Sequence, residues 1–222
     1  MGFLSLRDVW DMARGTMPIT DDFNRADGGL GSGWETLVSL SWAIVSNAAV
    51  PTSSGGTNTE TRRTESFSGD HYAQCDCEYT DPAAPGSGNS RSGPAVRVQA
   101  DGSCYRATFT DNDIVIRKVT GGGNNAGTFL TDFIAANWPH TTLRTLKLEA
   151  IGSTINVYAD GALLGGVTDT DLTGGKPGLF EVTGNPSFIA RCDNFECSDA
   201  IASETYPAGH GPTIRGKPLL RM

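Results

Sequence analysis

Residues 94–119 read PAVRVQADGSCYRATFTDNDIVIRKV, and this stretch decides the fold. Asp101-Gly102 is a two-residue hairpin signal flanked by alternating apolar residues. It predicts pairing of Val98 with Tyr105, Val96 with Ala107 and Arg97 with Arg106. A second turn at Asp111-Asn112 predicts pairing of Phe109 with Ile114, Ala107 with Ile116 and Arg106 with Arg117. Side chains alternate faces along a strand. Val96, Val98, Tyr105, Ala107, Phe109, Ile114 and Ile116 then share a core face. Arg97, Arg106 and Arg117 line up across three strands on the other face. Like charges directly opposite one another are unfavourable. Either acidic groups of this chain or an anionic ligand must answer them.

The same logic extends along the chain. Leu146, Leu148 and Ala150 alternate with Lys147 and Glu149. A turn at Gly152-Ser153 pairs Leu148 with Val157 and Ala150 with Ile155, and Asp160-Gly161 pairs Val157 with Leu164. Trp42 to Val45 is a short strand. His71, Ala73, Cys75, Cys77 and Tyr79 share one face of a strand, with Gln74, Asp76 and Glu78 on the other. Residues 51–62 and 81–93 are rich in Ser, Thr, Gly and Pro and read as loops. The last strands run through Phe180 and Val182 and from about Phe188 to Cys197.

The chain has 222 residues, 28 Gly and 11 Pro, enough for one large all-β domain of short strands and turns. Its formal charge of −8 and pI near 4.8 speak against a general nucleic-acid binder. No stretch is long and apolar enough to span a membrane. Asp8 and Asp11 interrupt the N-terminal apolar segment, so no signal-peptide pattern is present. Synthesis in the cytoplasm is expected, with function in a virion or outside the cell after release. The five cysteines, Cys75, Cys77, Cys104, Cys192 and Cys197, leave at least one thiol unbridged within the chain. Cys75-x-Cys77 is too close for a usual zinc knuckle, and spacing alone leaves a Cys192–Cys197 bridge open.

Three segments result. Residues 1–19 hold a short amphipathic helix, with Leu6, Val9 and Trp10 on its apolar side. Residues 20–198 form the domain. Residues 199–222 form an extended arm, proline-rich and carrying Arg215, Lys217, Leu219 and Arg221.

The order of the pieces resembles the concanavalin A-like lectin/glucanase superfamily, in particular its laminin-G-like jelly rolls. The resemblance rests on Asp21-Asp22-Phe23 with the glycine-rich loop and Trp34. It continues through Ser103-Cys104-Tyr105, Ile155 to Gly161, Gly175-Lys176-Pro177-Gly178-Leu179 and Asp193-Asn194-Phe195. It implies an all-β, antiparallel two-sheet jelly-roll sandwich, of the kind also found in phage-encoded virion proteins flanked by short arms. Glucanases of this superfamily carry an E-x-D-x-E set on one strand. No such motif is present, and Asp76-x-Glu78 is the nearest, so no enzyme is expected and no catalytic residue is assigned.

The resemblance leaves several functions open. In a lectin, Arg97, Arg106 and Arg117 would bind carboxylate or phosphate groups and Trp138 would stack on a sugar. The alternative is that Asp76 and Glu78 neutralise the arginines. Asp21, Asp22 and Asp193 offer oxygen ligands for a structural calcium ion, or cap turns and strand ends. The preferred expectation is a structural module of a larger assembly, a capsid decoration or tail component. Both terminal arms would grip neighbouring subunits, and the outer surface would touch glycans. No other cofactor, nucleic acid or membrane partner is expected.

Overall fold

A computed structural model describes residues 17–37, 42–52, 57–80, 91–109, 113–121, 127–134, 143–183 and 189–200. The predicted N-terminal helix, the arm from residue 201 onward and Trp138 lie outside these residues. No helix among them is long and apolar enough to cross a membrane.

Strands β1 (Ile19–Asp21), β2 (Gly28–Gly29), β3 (Trp34–Thr36), β4 (Trp42–Val45) and β5 (Ala48–Pro51) open the chain. There follow β6 (Thr57–Arg63), β7 (His71–Thr80), β8 (Arg91–Val98), β9 (Cys104–Phe109), β10 (Asp113–Val119) and β11 (Thr128–Ile134). The last are β12 (Arg144–Ile151), β13 (Thr154–Ala159), β14 (Ala162–Thr168), β15 (Lys176–Thr183) and β16 (Ile189–Asp199). They form two antiparallel sheets. Sheet one has the order β14-β13-β12-β7-β16-β5-β4-β2, with β1 also on β16. Sheet two has the order β11-β10-β9-β8-β15-β6-β3. This is the expected sandwich.

The core lies between the sheets. Sheet one contributes Ala73, Cys75, Cys77, Leu146, Leu148, Ala150, Ile155, Val157, Cys192 and Phe195. Sheet two contributes Val96, Tyr105, Ala107, Ile114, Ile116 and Leu179. Burial of these side chains is the main favourable term, about 1.5–3 kcal/mol for each large one. A second cluster, Ala95, Val98, Cys104, Val119 and Phe180, occupies the opposite face of sheet two.

Much of the predicted register is present. Phe109 pairs with Ile114, Ala107 with Ile116 and Arg106 with Arg117. Leu148 pairs with Val157 and Ala150 with Ile155. Three expectations are corrected. Residues 57–63 are strand β6, not loop, because Glu60, Thr61 and Arg63 are buried between β15 and β3 and their polarity hides the strand. Residues 91–93 likewise belong to β8. A bulge between Val157 and Tyr158 places Val157 opposite Gly165 rather than Leu164.

The decisive correction is at the first hairpin, where Val96 pairs with Tyr105 and Ala95 with Arg106. The turn holds three residues, not two. Gln99 N–H donates to the Ser103 carbonyl (2.8 Å), Gly102 N–H donates to the Gln99 carbonyl (3.1 Å), and Gly102 has φ +83°. Asp101 accepts from both the backbone N–H and the hydroxyl of Ser103 (2.9 and 3.0 Å). A three-residue loop with a left-handed last residue is the next favoured solution after two-residue turns. One extra turn residue would flip every side chain of β8 to the wrong face. A bulge at Arg97, which has φ +53°, reverses that flip and returns Val96 to the core.

The bulge takes Arg97 out of the predicted arginine row. Its side chain is 1% exposed. The guanidinium donates to the carbonyls of Gly69 (2.9 Å), Leu172 (2.7 Å) and Gly152 (2.6 Å), and lies 3.4 Å from Asp70. Arg97 N–H donates to His71 Nε2 (2.8 Å), and His71 Nδ1 donates to the Ser68 carbonyl (2.8 Å). Those partners require a neutral imidazole protonated on Nδ1, and burial holds the His71 pKa below its ordinary value. Gly175 abuts this point, where a Cβ would stand 2.4 Å from the Arg97 carbonyl carbon. Arg97→Met is expected to strand three carbonyls and lower stability by about 3 kcal/mol or more. Arg97→Lys, a point charge without the fork, recovers only part. Urea unfolding at pH 7 measures both, and an unchanged midpoint for Arg97→Met would refute the clamp.

Candidate functional site

Two polar surfaces contain the predicted site residues, one on the outer face of each sheet. On sheet two, Arg106 and Arg117 are neighbours as predicted. Asp76 and Glu78 do not answer them, because β7 belongs to the other sheet. The answering acid is Glu60, from the segment misread as loop. Phe180 pairs with Glu60, so both project to the Arg106 face. Glu60 Oε1 lies 3.9 Å from Arg106 Nη1, and the Arg106 guanidinium sits 4.8 Å over the Phe180 ring. Arg117 lies 6.0 Å over Phe129 and donates to the Gly127 carbonyl (3.3 Å).

This surface is closed around Arg106, while Arg117 is half-buried. Glu60, Phe180 and Arg106 are 0–1% exposed. An open anion site along the arginine row is therefore not what the sheet presents. Glu60 accepts no hydrogen bond among the described residues, and burial pushes its pKa from 4.5 up to about 7, against the pull of Arg106. Raised in the folded state, this pKa means that the fold retains a proton which the unfolded chain releases near pH 4.5. The associated stability is full below that pH and lost as pH rises towards about 7. Glu60→Gln, which cannot ionise, should therefore flatten the decline between pH 5 and 8, by on the order of 1–3 kcal/mol. Denaturant unfolding across that range is the measurement, and parallel curves for the two proteins would contradict it.

The outer face of sheet one is open. A cavity of about 300 Å³ is lined by Asp22, Gln74, Asp76, Thr145, Asn194 and Glu196, with Thr20, Asp21 and Phe195 completing the wall. Within this wall Asp76 accepts from Thr145 Oγ1 (2.6 Å) and Asn194 Nδ2 (2.9 Å). The Asn194 geometry comes from a bulge in β16 between Asp193 and Glu196, with Asn194 at φ +46°. Bulges of this kind re-aim a side chain. Burial raises the Asp193 pKa, and the charges of Asp76 and Asp22 add to it.

Beside the cavity, Tyr72 donates to Glu196 (2.6 Å). Lys147 Nζ lies 4.3 Å over the Tyr72 ring and 4.9 Å over the Tyr158 ring. Glu149 accepts from Lys147 and Tyr158, both at 2.8 Å. The surface thus offers carboxylates, amides and a hydroxyl next to aromatic rings.

Of the predicted residues, Asp21, Asp22 and Asp76 line this cavity. Glu78 has its backbone in β7, and its side chain lies outside the described residues. Asp21 is a corner lock, accepting from Arg25 (2.6 and 3.0 Å), Trp34 Nε1 (2.8 Å) and Phe23 N–H (2.9 Å). Burial alone would raise its pKa, but the Arg25 and Trp34 hydrogen bonds hold it below the ordinary value. Asp22 accepts from Asn24 N–H and Asp193 from Asn194 N–H, both local turn contacts. The predicted calcium ligands thus have turn and strand-end partners. All five cysteines are free, Cys192 and Cys197 included. Leu6, Val9, Trp10, Trp138, Arg215, Lys217, Leu219 and Arg221 lie outside the described residues. Sequence reading missed Asn194, Thr145 and Glu60. The Asp193-Asn194 pair inside a strand pattern was the available signal for the bulge.

No family model matches the chain, and no curated protein does. Solved structures do. The carbohydrate binding module CBM66 from Bacillus subtilis aligns at 19% identity over 78% of this chain and 98% of its own, with TM-score 0.60. The carbohydrate recognition domain of Emp46p, in a potassium-bound form, aligns at 7% identity over 77% and 90%, with TM-score 0.54. The Crh5 transglycosylase aligns at 15% identity over 83% and 85%, with TM-score 0.53. At these identities the likeness is one of fold. That fold is the two-sheet jelly-roll sandwich.

Proposed function

We propose that this chain is a non-catalytic carbohydrate-binding domain whose ligand enters the Asp76 cavity on sheet one. The observation that carries the reading is the arrangement of Asp76, Asn194, Thr145 and Gln74 around a cavity beside the Tyr72 ring. Concave sites with a few convergent polar groups are where small ligands bind. Sugar hydroxyls match carboxylate acceptors and amide donors. Asp22, Asp76 and Glu196 make the wall acidic, which selects neutral or amino sugars over uronic or sialic acids. The fold shared with carbohydrate-binding modules supports the reading.

The test is binding of the full chain to a panel of neutral, amino and acidic oligosaccharides, followed by calorimetry on the best hit. Asp76→Asn and Asn194→Ala are each expected to weaken that hit at least tenfold. Arg117→Ala, on sheet two, should leave it unchanged. A hit that survives both cavity substitutions, or strict preference for acidic sugars, would refute the site. Turnover of the bound oligosaccharide would refute the non-catalytic part.

The flanking segments favour a second property, display of this domain on a larger assembly such as a phage virion. The apolar residues Leu6, Val9 and Trp10 want a docking surface, and the basic pattern of Arg215, Lys217 and Arg221 contrasts with an acidic chain. Removing residues 201–222 should abolish incorporation into the particle while glycan binding by the domain persists. Normal incorporation of the truncated chain would argue against it.

A further inference from the structure

Three thiols meet in the middle of the sandwich. Cys75 and Cys77 stand two residues apart on the inner face of β7. Antiparallel pairing with β16 sets Cys192 directly opposite Cys77. All three side chains are 0% exposed. Their sulfurs lie within 4.8 Å of one another, and Cys75 Sγ is 3.4 Å from Cys77 Sγ. Cys104 belongs to the outer cluster of the other sheet, and Cys197 lies further along β16, opposite Ala73.

Two chemistries suit such a cluster, a thiophilic metal ion or a disulfide, and charge decides between them. Closed zinc sites take four ligands, whereas the described residues assemble three sulfurs here. The nearby Ser92 hydroxyl donates to the Arg191 carbonyl (3.3 Å). Three thiolates around a divalent ion would leave net negative charge in an apolar core. Burial raises the Cys75 thiol pKa and hydrogen bonding with Cys192 raises that of Cys77, so thiolates are disfavoured at two of the three positions. A disulfide carries no charge. Directly opposed residues of antiparallel strands have Cα atoms about 4.5–5.5 Å apart, inside the range that a disulfide bridges. Two residues apart on one strand, Cys75 and Cys77 are separated by about 6.6 Å, at its upper edge.

We propose that Cys77 and Cys192 form a reversible disulfide that staples β7 to β16 in sheet one. The oxidant is a small disulfide such as glutathione disulfide. One thiolate of the pair attacks it, releasing one glutathione and leaving a mixed disulfide. The second thiolate displaces the other glutathione, so the two protein sulfurs lose two electrons and two protons while glutathione disulfide becomes two thiols. The bond forms as the two strands come together during folding, before the core excludes the oxidant. Cys75 remains reduced beside it, and burial raises its thiol pKa, which makes internal exchange slow.

The full chain is refolded with excess glutathione disulfide or with dithiothreitol, then denatured and alkylated for intact mass. Three alkylated cysteines are expected after oxidation, the five free thiols less the two joined, and five after reduction. Non-reduced tryptic digestion should link the peptide spanning 64–91 to that spanning 192–215. Cys75→Ala keeps the loss of two thiols, whereas Cys77→Ala and Cys192→Ala abolish it. Alanine suits a core position next to Ala73 and Ala49, and the wild-type thiol count and linked peptides stand without any variant. Five alkylated cysteines in the oxidised protein, or the loss persisting in Cys192→Ala, would overturn the proposal. One zinc or copper per chain in protein purified without chelator would also overturn it, in favour of a metal site.

Discussion

The fold hangs on a single residue held in a left-handed backbone conformation. Arg97 occupies the bulge that reconciles a three-residue turn with an inward-facing Val96. Its guanidinium then reaches the carbonyls of three separate connections, at Gly69, Gly152 and Leu172. Its amide meets His71 of the opposite sheet. Positive φ at a β-type position and burial of a guanidinium each cost free energy. Both are tolerated because each nitrogen of the fork finds an acceptor. The end of the sandwich that carries these three loops is therefore one hydrogen-bonded unit.

The two outer faces differ in character for a related reason. On sheet two, like charges adjacent in register are tolerated by burying Glu60 beside Arg106 and stacking the guanidinium on Phe180. A buried pair of this kind is weak support for stability, and the raised Glu60 pKa expresses that cost. On sheet one, the polar groups remain open to water. The bulge at Asn194 interrupts the ladder and turns an amide towards Asp76. The proposed binding site therefore lies on the sheet whose polar groups are unburied.

Much of the fold was legible in the chain. Alternation placed Ala107, Ile114, Ile116, Leu148 and Val157 in the core, and turn chemistry set two hairpins in their true register. The errors share a cause. Asp101-Gly102 satisfies both a two-residue and a three-residue turn, and only the packing of Val96 chooses between them. Strand β6, Thr-Asn-Thr-Glu-Thr-Arg-Arg, has a loop's composition because its polar side chains find partners such as Glu35 for Arg62 and the Trp34 ring for Arg63. Asp76 stands out in the sequence, but the alternative that sets it against the arginines fails because β7 lies in the other sheet, and local periodicity carries no information on sheet order.

By itself, the sequence determined an all-β sandwich, the inward faces of most strands and the presence of unusual polar residues on the outward ones. These follow from period-two patterning and turn preference, which act over a few residues. Tertiary structure alone decided which polar groups meet. It set Glu60 against Arg106, Asn194 against Asp76, Cys192 against Cys77, and Arg97 against three loop carbonyls. Each of these contacts joins residues more than 25 positions apart, where strand order, bulges and burial outweigh any local signal.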